Sequence, residues 1–120
     1  MALVLIVEDN ADLREMYQEI LAMEGHTVFL AENAPEALPF LEREQPDVVV
    51  LDLGVVGGVN ELVASLRGGG KEPGLILASG SRDLDQWAAR LSADAYLEKP
   101  FSHDRLVDAV NAVSAKKAKR

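Results

Sequence analysis

The sequence predicts a doubly wound α/β domain, a parallel sheet with helices packed on both faces. Three observations lead there. Five apolar runs of strand length, LVLIV, TVFLA, VVVL, LILAS and AYLE, recur along 120 residues. Segments with helical spacing separate them, so the chain reads as a βα unit repeated five times. Strands this uniformly apolar, joined by crossovers of helical length, belong in a parallel sheet covered on both sides.

Each element has its own signal. After LVLIV, Leu13, Met16, Tyr17, Ile20 and Leu21 recur at i, i+3, i+4, i+7 and i+8 with acids opposite, an amphipathic first helix. Asn33 followed by Glu36 resembles a capping box for the second helix. Pro39 falls inside that helix, removes a backbone donor, and is expected to kink or shorten it. The third crossover starts near Asn60 and ends in RGGGKEPG. A glycine run there, after a helix and before a strand, has the wrong order for a phosphate-binding loop and reads as a flexible turn. In the fourth helix Trp87 falls on the side of Leu84 and Leu91, which marks it as a packing residue. The fifth helix repeats an apolar stripe at Leu106, Val110 and Val113, with Ser102 placed to cap it.

Composition narrows the function. The length suits one domain with a core of its own. Apolar residues make up 48% and charged residues 27%, which argues against disorder as the default state. The absence of cysteine excludes disulfides, thiolate chemistry and cysteine-based zinc sites, and fits a reducing cytoplasm. MALVLIVEDN has no basic segment before its apolar run and acids follow at once, so it reads as neither signal peptide nor membrane span. A net charge of −8 disfavours direct binding to nucleic acid. Four basic residues sit in the final KKAKR, leaving the rest of the chain still more acidic. The expected organisation is one domain over 1–115 and a basic tail or linker stub over 116–120.

The chemistry collects at the carboxyl ends of the strands, where doubly wound sheets bind ligands. Glu8 and Asp9 follow the first strand, Asp52 ends the third, Ser79 ends the fourth, and Lys99 with Pro100 follows the fifth. Asp52 is the most telling, because the run Val48–Leu51 before it gives no structural reason for a charge. Taken singly, Glu8 and Asp9 would pass as helix caps, Ser79 as a strand-end hydroxyl, Lys99 as a solvated lysine and Tyr96 as a strand aromatic. With the first and third strands adjacent, three carboxylates converge and need a cation. An all-oxygen ligand set that leaves room for water and phosphate suits Mg²⁺. With Lys99 on the other side, Asp52 is placed to attack a phosphoryl group in line and form an acyl phosphate, to which Ser79 donates a hydrogen bond. An acidic EDNADL after the first strand argues against a flavodoxin-like nucleotide-binding protein.

These residues carry a family resemblance. The whole chain resembles the receiver domain of bacterial two-component response regulators, through VEDN, VVLDL, LASG and YLEKPF in that order and at those spacings. The resemblance implies a flavodoxin-like (βα)5 fold with strand order 2-1-3-4-5. It implies that Asp52 is the phosphoacceptor and that Glu8, Asp9, Asp52 and the backbone carbonyl of Gly54 hold Mg²⁺. It further implies that Lys99 contacts the phosphate and that Ser79 and Tyr96 form a switch pair, with Pro100 structural. The donor would be a sensor histidine kinase or a histidine phosphotransfer protein, since neither His26 nor His103 sits in a motif to donate. A downstream protein would read the face of helix four, strand five and helix five. Such a domain acts on no diffusible substrate and catalyses only its own phosphorylation and dephosphorylation.

One stretch departs from the family. After Asp52 the chain continues LGVVGGVNEL, with Val56 where the family carries proline, a segment read as one residue shorter, and Gly57 and Gly58 supplying the bend. A more mobile loop is expected. Gly54 leaves space beside the phosphate, so easier water access and a short-lived phosphorylated state are expected. The unusual loop also raises the alternative of a receiver-like interaction module that signals without phosphorylation.

Overall fold

The apolar runs become the strands of one parallel sheet: β1 (Leu3–Val7), β2 (Thr27–Ala31), β3 (Val48–Asp52), β4 (Gly74–Ser79) and β5 (Ala95–Glu98). The computed structural model describes residues 2–55, 57–68 and 71–118. Val56, Gly69, Gly70, Lys119 and Arg120, on which parts of the sequence reading fall, lie outside the described residues. The strand order is β2-β1-β3-β4-β5, as the family resemblance implies. The registers place Val7 beside Leu51, and Asp52 beside Ala78.

The helices are α1 (Ala11–Met23), α2 (Ala34–Glu44), α3 (Val59–Gly68), α4 (Leu84–Leu91) and α5 (His103–Ala118). Alternation along the strands divides the core in two, because successive side chains point to opposite faces. Leu5, Val7, Val49, Leu51, Leu75 and Leu77 meet α2, α3 and α4 on one side. Val4, Ile6, Val48, Val50, Ile76 and Leu97 meet α1 and α5 on the other. The central strands β3 and β4 are buried throughout, while the edge strands β2 and β5 are partly exposed. At about 25 cal/mol per Å² of apolar surface removed from water, these two layers supply most of the favourable folding energy.

The helix starts follow the capping signals. Asn33 Oδ1 accepts the Glu36 amide at 2.9 Å, and Ser102 Oγ accepts that of Arg105 at 3.2 Å. Asn10, which the sequence reading did not single out, caps α1 through the Leu13 amide at 3.1 Å. Within the α1 stripe Tyr17 and Leu21 are buried, but Met16 is 36% exposed and lies at its rim. The expected shortening at Pro39 does not occur, and α2 runs 11 residues through it. Pro35, whose carbonyl loses its partner at Pro39, is exposed, so water can satisfy it. Trp87 packs against the core as a partly buried residue, with Arg90 over its ring at 4.7 Å. α5 continues to Ala118, which puts Lys116 and Lys117 on the helix.

Gly74 explains how closely α5 approaches the sheet. A Cβ at that position would stand 2.2 Å from Val113 Cγ1, so only glycine fits. At the same end of the sheet, aspartates close the strand openings. Asp47 accepts the Leu3 amide at 2.7 Å, and Asp94 accepts the Leu75 amide at 2.9 Å while Lys116 and Lys117 reach it from α5. Burial works against the Asp94 charge, yet the Leu75 amide and the two lysines outweigh it and hold its carboxyl below the usual 3.8. A depressed folded pKa means that the stabilisation is fully present above 3.8 and is lost as pH falls through the lower folded value. Asp94→Ala is therefore expected to reduce stability at neutral pH by about 1–3 kcal/mol in urea denaturation. The deficit should shrink as the solution is acidified below 3.8.

Candidate functional site

Three strand ends and one loop build a single acidic pocket. Glu8, directly after β1, is 1% exposed, and Asp52, the last residue of β3, is 6% exposed. Asp9 is exposed at the rim. One carboxylate oxygen from each of Glu8, Asp9 and Asp52 lies within 4.8 Å of the others. These residues meet because β1 and β3 are hydrogen-bonded neighbours and end level with each other.

Lys99 reaches into the pocket from the loop after β5. Its Nζ lies 2.8 Å from Glu8 Oε1 and 3.2 Å from Asp52 Oδ2. The Lys99 amide donates to the Ser79 carbonyl at 2.9 Å, which ties that segment to β4. Behind it, Phe101 stacks on Tyr17 of α1 with ring centroids 5.4 Å apart. The second oxygens of the Glu8 and Asp52 carboxylates are also occupied. Gly54 N–H donates to Asp52 Oδ1 at 3.0 Å, and Asn10 N–H donates to Glu8 Oε2 at 3.2 Å.

One ammonium does not offset three carboxylates. Burial pushes the Glu8 carboxyl from 4.5 up to about 7, and neighbouring Asp52 adds to the shift against the opposing pull of Lys99 and the Asn10 amide. Burial alone would lower the Lys99 ammonium, but its contacts with Glu8 and Asp52 prevail and raise it. The donor set is entirely oxygen and carries surplus negative charge, which fits a hard divalent cation such as Mg²⁺.

The other predicted residues take different places. Ser79 is buried beside the pocket on β4, and its Oγ accepts the Ser81 amide at 3.0 Å. Tyr96 lies on the edge strand β5 and is 43% exposed, outside the acidic cluster. Pro100 follows Lys99 through a cis peptide bond. Gly54 meets Asp52 through its amide, and a Cβ there would lie 3.4 and 3.5 Å from the two Asp52 oxygens, in ordinary contact. The sequence reading missed Asn10 and Arg14. Arg14 Nη1 lies 2.9 Å from the Glu8 carbonyl oxygen and 3.5 Å from that of Asp9. An arginine in the first turns of a helix that follows two acids was the available signal.

The chain is similar to known proteins along most of its length. Residues 4–111 match the family described as response regulator receiver domain. The chain is 35% identical to protein PilH of Pseudomonas aeruginosa, with 96% of this chain and 99% of PilH covered. It is 32% identical to sporulation initiation phosphotransferase F of Bacillus subtilis, with 89% of each covered. Against the KDP operon transcriptional regulatory protein KdpE of Escherichia coli, 37% identical, the match takes 82% of this chain and 44% of the relative. Among solved structures it is similar to the chemotaxis response regulator CheY4 of Vibrio cholerae, with a TM-score of 0.84, 26% identity, and 94% and 98% of the two chains covered. It also resembles NtrX of Brucella abortus, with a TM-score of 0.85 and 28% identity, over 98% of this chain and 27% of NtrX.

The Glu8 shift sets a pH dependence. A carboxyl raised in the folded state stabilises the fold below its unfolded value of 4.5 and loses that contribution as pH rises through about 7. Without divalent cations, the thermal midpoint should therefore fall as pH is raised from 4.5 through about 7. Glu8→Gln, which has no proton to lose, should flatten that part of the profile in scanning calorimetry.

Proposed function

The chain belongs to the response regulator receiver domain family of two-component systems, and from that premise we propose that it is a phosphoacceptor switch with Asp52 as the acceptor. The observation that supports this most directly is Asp52 itself, a nearly buried carboxylate with Lys99 3.2 Å away and two further carboxylates in the same pocket. Receiver domains of this family interact with histidine kinases or phosphotransfer proteins. One of these would supply the phosphoryl group here.

An Asp52 carboxylate oxygen attacks phosphorus in line. The new O–P bond forms as the bond to the donor's imidazole nitrogen breaks, and the electron pair of that bond leaves with the imidazole. Lys99 holds its ammonium beside Asp52 and compensates the charge gathering on the phosphoryl oxygens. Glu8, Asp9, Asp52 and the Gly54 carbonyl are the residues that would hold Mg²⁺. When bound, the ion supplies neutralising charge for an incoming dianion.

In this reading Ser79 gives up its contact with the Ser81 amide and donates its hydroxyl proton to the phosphate. Tyr96 then turns inward from the edge strand, changing the face built by α4, β5 and α5. A protein partner must bind the two forms of that face with different affinity, since equal affinity shifts nothing. The domain turns over no diffusible substrate and acts in the bacterial cytoplasm. Among the described residues, no helix is long and apolar enough to cross a membrane. The chain's acidic balance is unsuited to direct contact with nucleic acid.

Incubation with acetyl phosphate and Mg²⁺, followed by intact-mass spectrometry, should add one phosphoryl group to the protein and none to Asp52→Asn. Omitting Mg²⁺ should abolish the addition. Absence of label under rapid quenching, together with failure to bind a stable phosphoryl mimic, would favour an interaction module that signals without phosphorylation. The missing side chain at Gly54, beside the Asp52 oxygens, yields a further expectation. Gly54→Asn places a side chain against the Asp52 oxygens and should slow loss of the phosphoryl group severalfold, whereas an unchanged decay rate would show that this space does not control water access.

A further inference from the structure

The turn between β1 and α1 carries two of the three carboxylates, and nearly every polar group of Glu8 is fixed. Its amide donates to the Ala31 carbonyl at 3.0 Å, and its carboxylate meets Lys99 and the Asn10 amide. Asn10 is fixed in turn, with its carbonyl on the Arg14 amide at 2.9 Å and its side chain on the Leu13 amide. Asp9 sits between these two anchored residues yet is itself exposed at the rim. Its direction depends on the peptide planes on either side of it. Arg14 holds the oxygens of both planes with one guanidinium nitrogen, at 2.9 Å to Glu8 O and 3.5 Å to Asp9 O.

We propose that Arg14 is a positioning residue that locks the two peptide planes flanking Asp9 and so aims that carboxylate at the cation site. The inference rests on the reading of the pocket as a Mg²⁺ site. A planar guanidinium set by its own helix can meet two carbonyl oxygens from a fixed direction, which a flexible ammonium does poorly. Two simpler roles for Arg14 predict different behaviour. As mere charge compensation, the guanidinium would repel a divalent cation, and its removal would tighten binding. As a purely structural link, its loss would lower stability and leave cation affinity unchanged.

The test is calorimetric titration of the intact protein, Arg14→Gln and Arg14→Lys with MgCl₂, alongside hydrogen exchange of the amides of residues 9–11. Circular dichroism establishes that each variant is folded, and the conservative lysine variant serves if the glutamine variant is not. Both variants are expected to bind Mg²⁺ about tenfold more weakly, the equivalent of one charge-assisted hydrogen bond, with faster exchange in the turn. Unchanged or tighter binding in either folded variant, with the unaltered protein binding normally, would overturn the role of Arg14. No Mg²⁺ binding by the unaltered protein would instead overturn the cation-site reading, and this inference with it.

Discussion

The ion pair of Lys99 with Glu8 and Asp52 is the constraint around which the functional end of the molecule is arranged. Removing charges from water costs several kcal/mol per ion, and a buried pair persists only where the geometry and the surrounding hydrogen bonds are good. Here Lys99 Nζ lies 2.8 and 3.2 Å from its two partners, and the other oxygens of those carboxylates accept the Asn10 and Gly54 amides. The three groups come from the ends of β1, β3 and β5, so the contact exists only when the sheet is assembled in its observed order. It is also incomplete, because Asp9 adds a third carboxylate that Lys99 does not meet at bonding distance. The pocket is left with negative charge that the protein alone does not neutralise.

Rigid surroundings make such a pocket tolerable. β3 and β4 are buried along their whole length, with α2, α3 and α4 on one side and α1 and α5 on the other. The missing side chain of Gly74 lets α5 settle onto β4, while the Tyr17 and Phe101 rings join α1 to the segment that carries Lys99. At the opposite end of the sheet, Asp47 accepts the Leu3 amide at the start of β1 and Asp94 accepts the Leu75 amide, the second of β4. The two ends use carboxylates differently. At the amino ends each one is satisfied by an amide and lysine, whereas at the carboxyl ends three crowd together around one lysine.

In the loop after Asp52, two glycines take backbone conformations that other residues rarely adopt. Gly57 and Gly58 both adopt positive φ, at +63° and +77°. A Cβ on Gly58 would come within 2.9 Å of Ala34 Cβ at the start of α2, so this glycine serves a close approach as well as a turn. Gly58 is thereby seated against the start of α2.

The sequence by itself determined the parts that depend on local pattern. Strand and helix order followed from apolar runs alternating with amphipathic stripes, and Asp52 stood out because a charge ended a run of valines and leucine. The caps at Asn33 and Ser102 were legible for the same reason, since a cap needs only residues close in sequence. Pro39 misled because its effect depends on whether the freed carbonyl meets water, which is a matter of exposure. Tertiary structure alone decided which carboxylates share Lys99, that Asp47 and Asp94 close strand ends, and that Arg14 grips the Glu8–Asp9 turn. Each of these joins groups whose distance apart is set by sheet order and helix placement. Periodicity carries no information about that distance until the chain has folded.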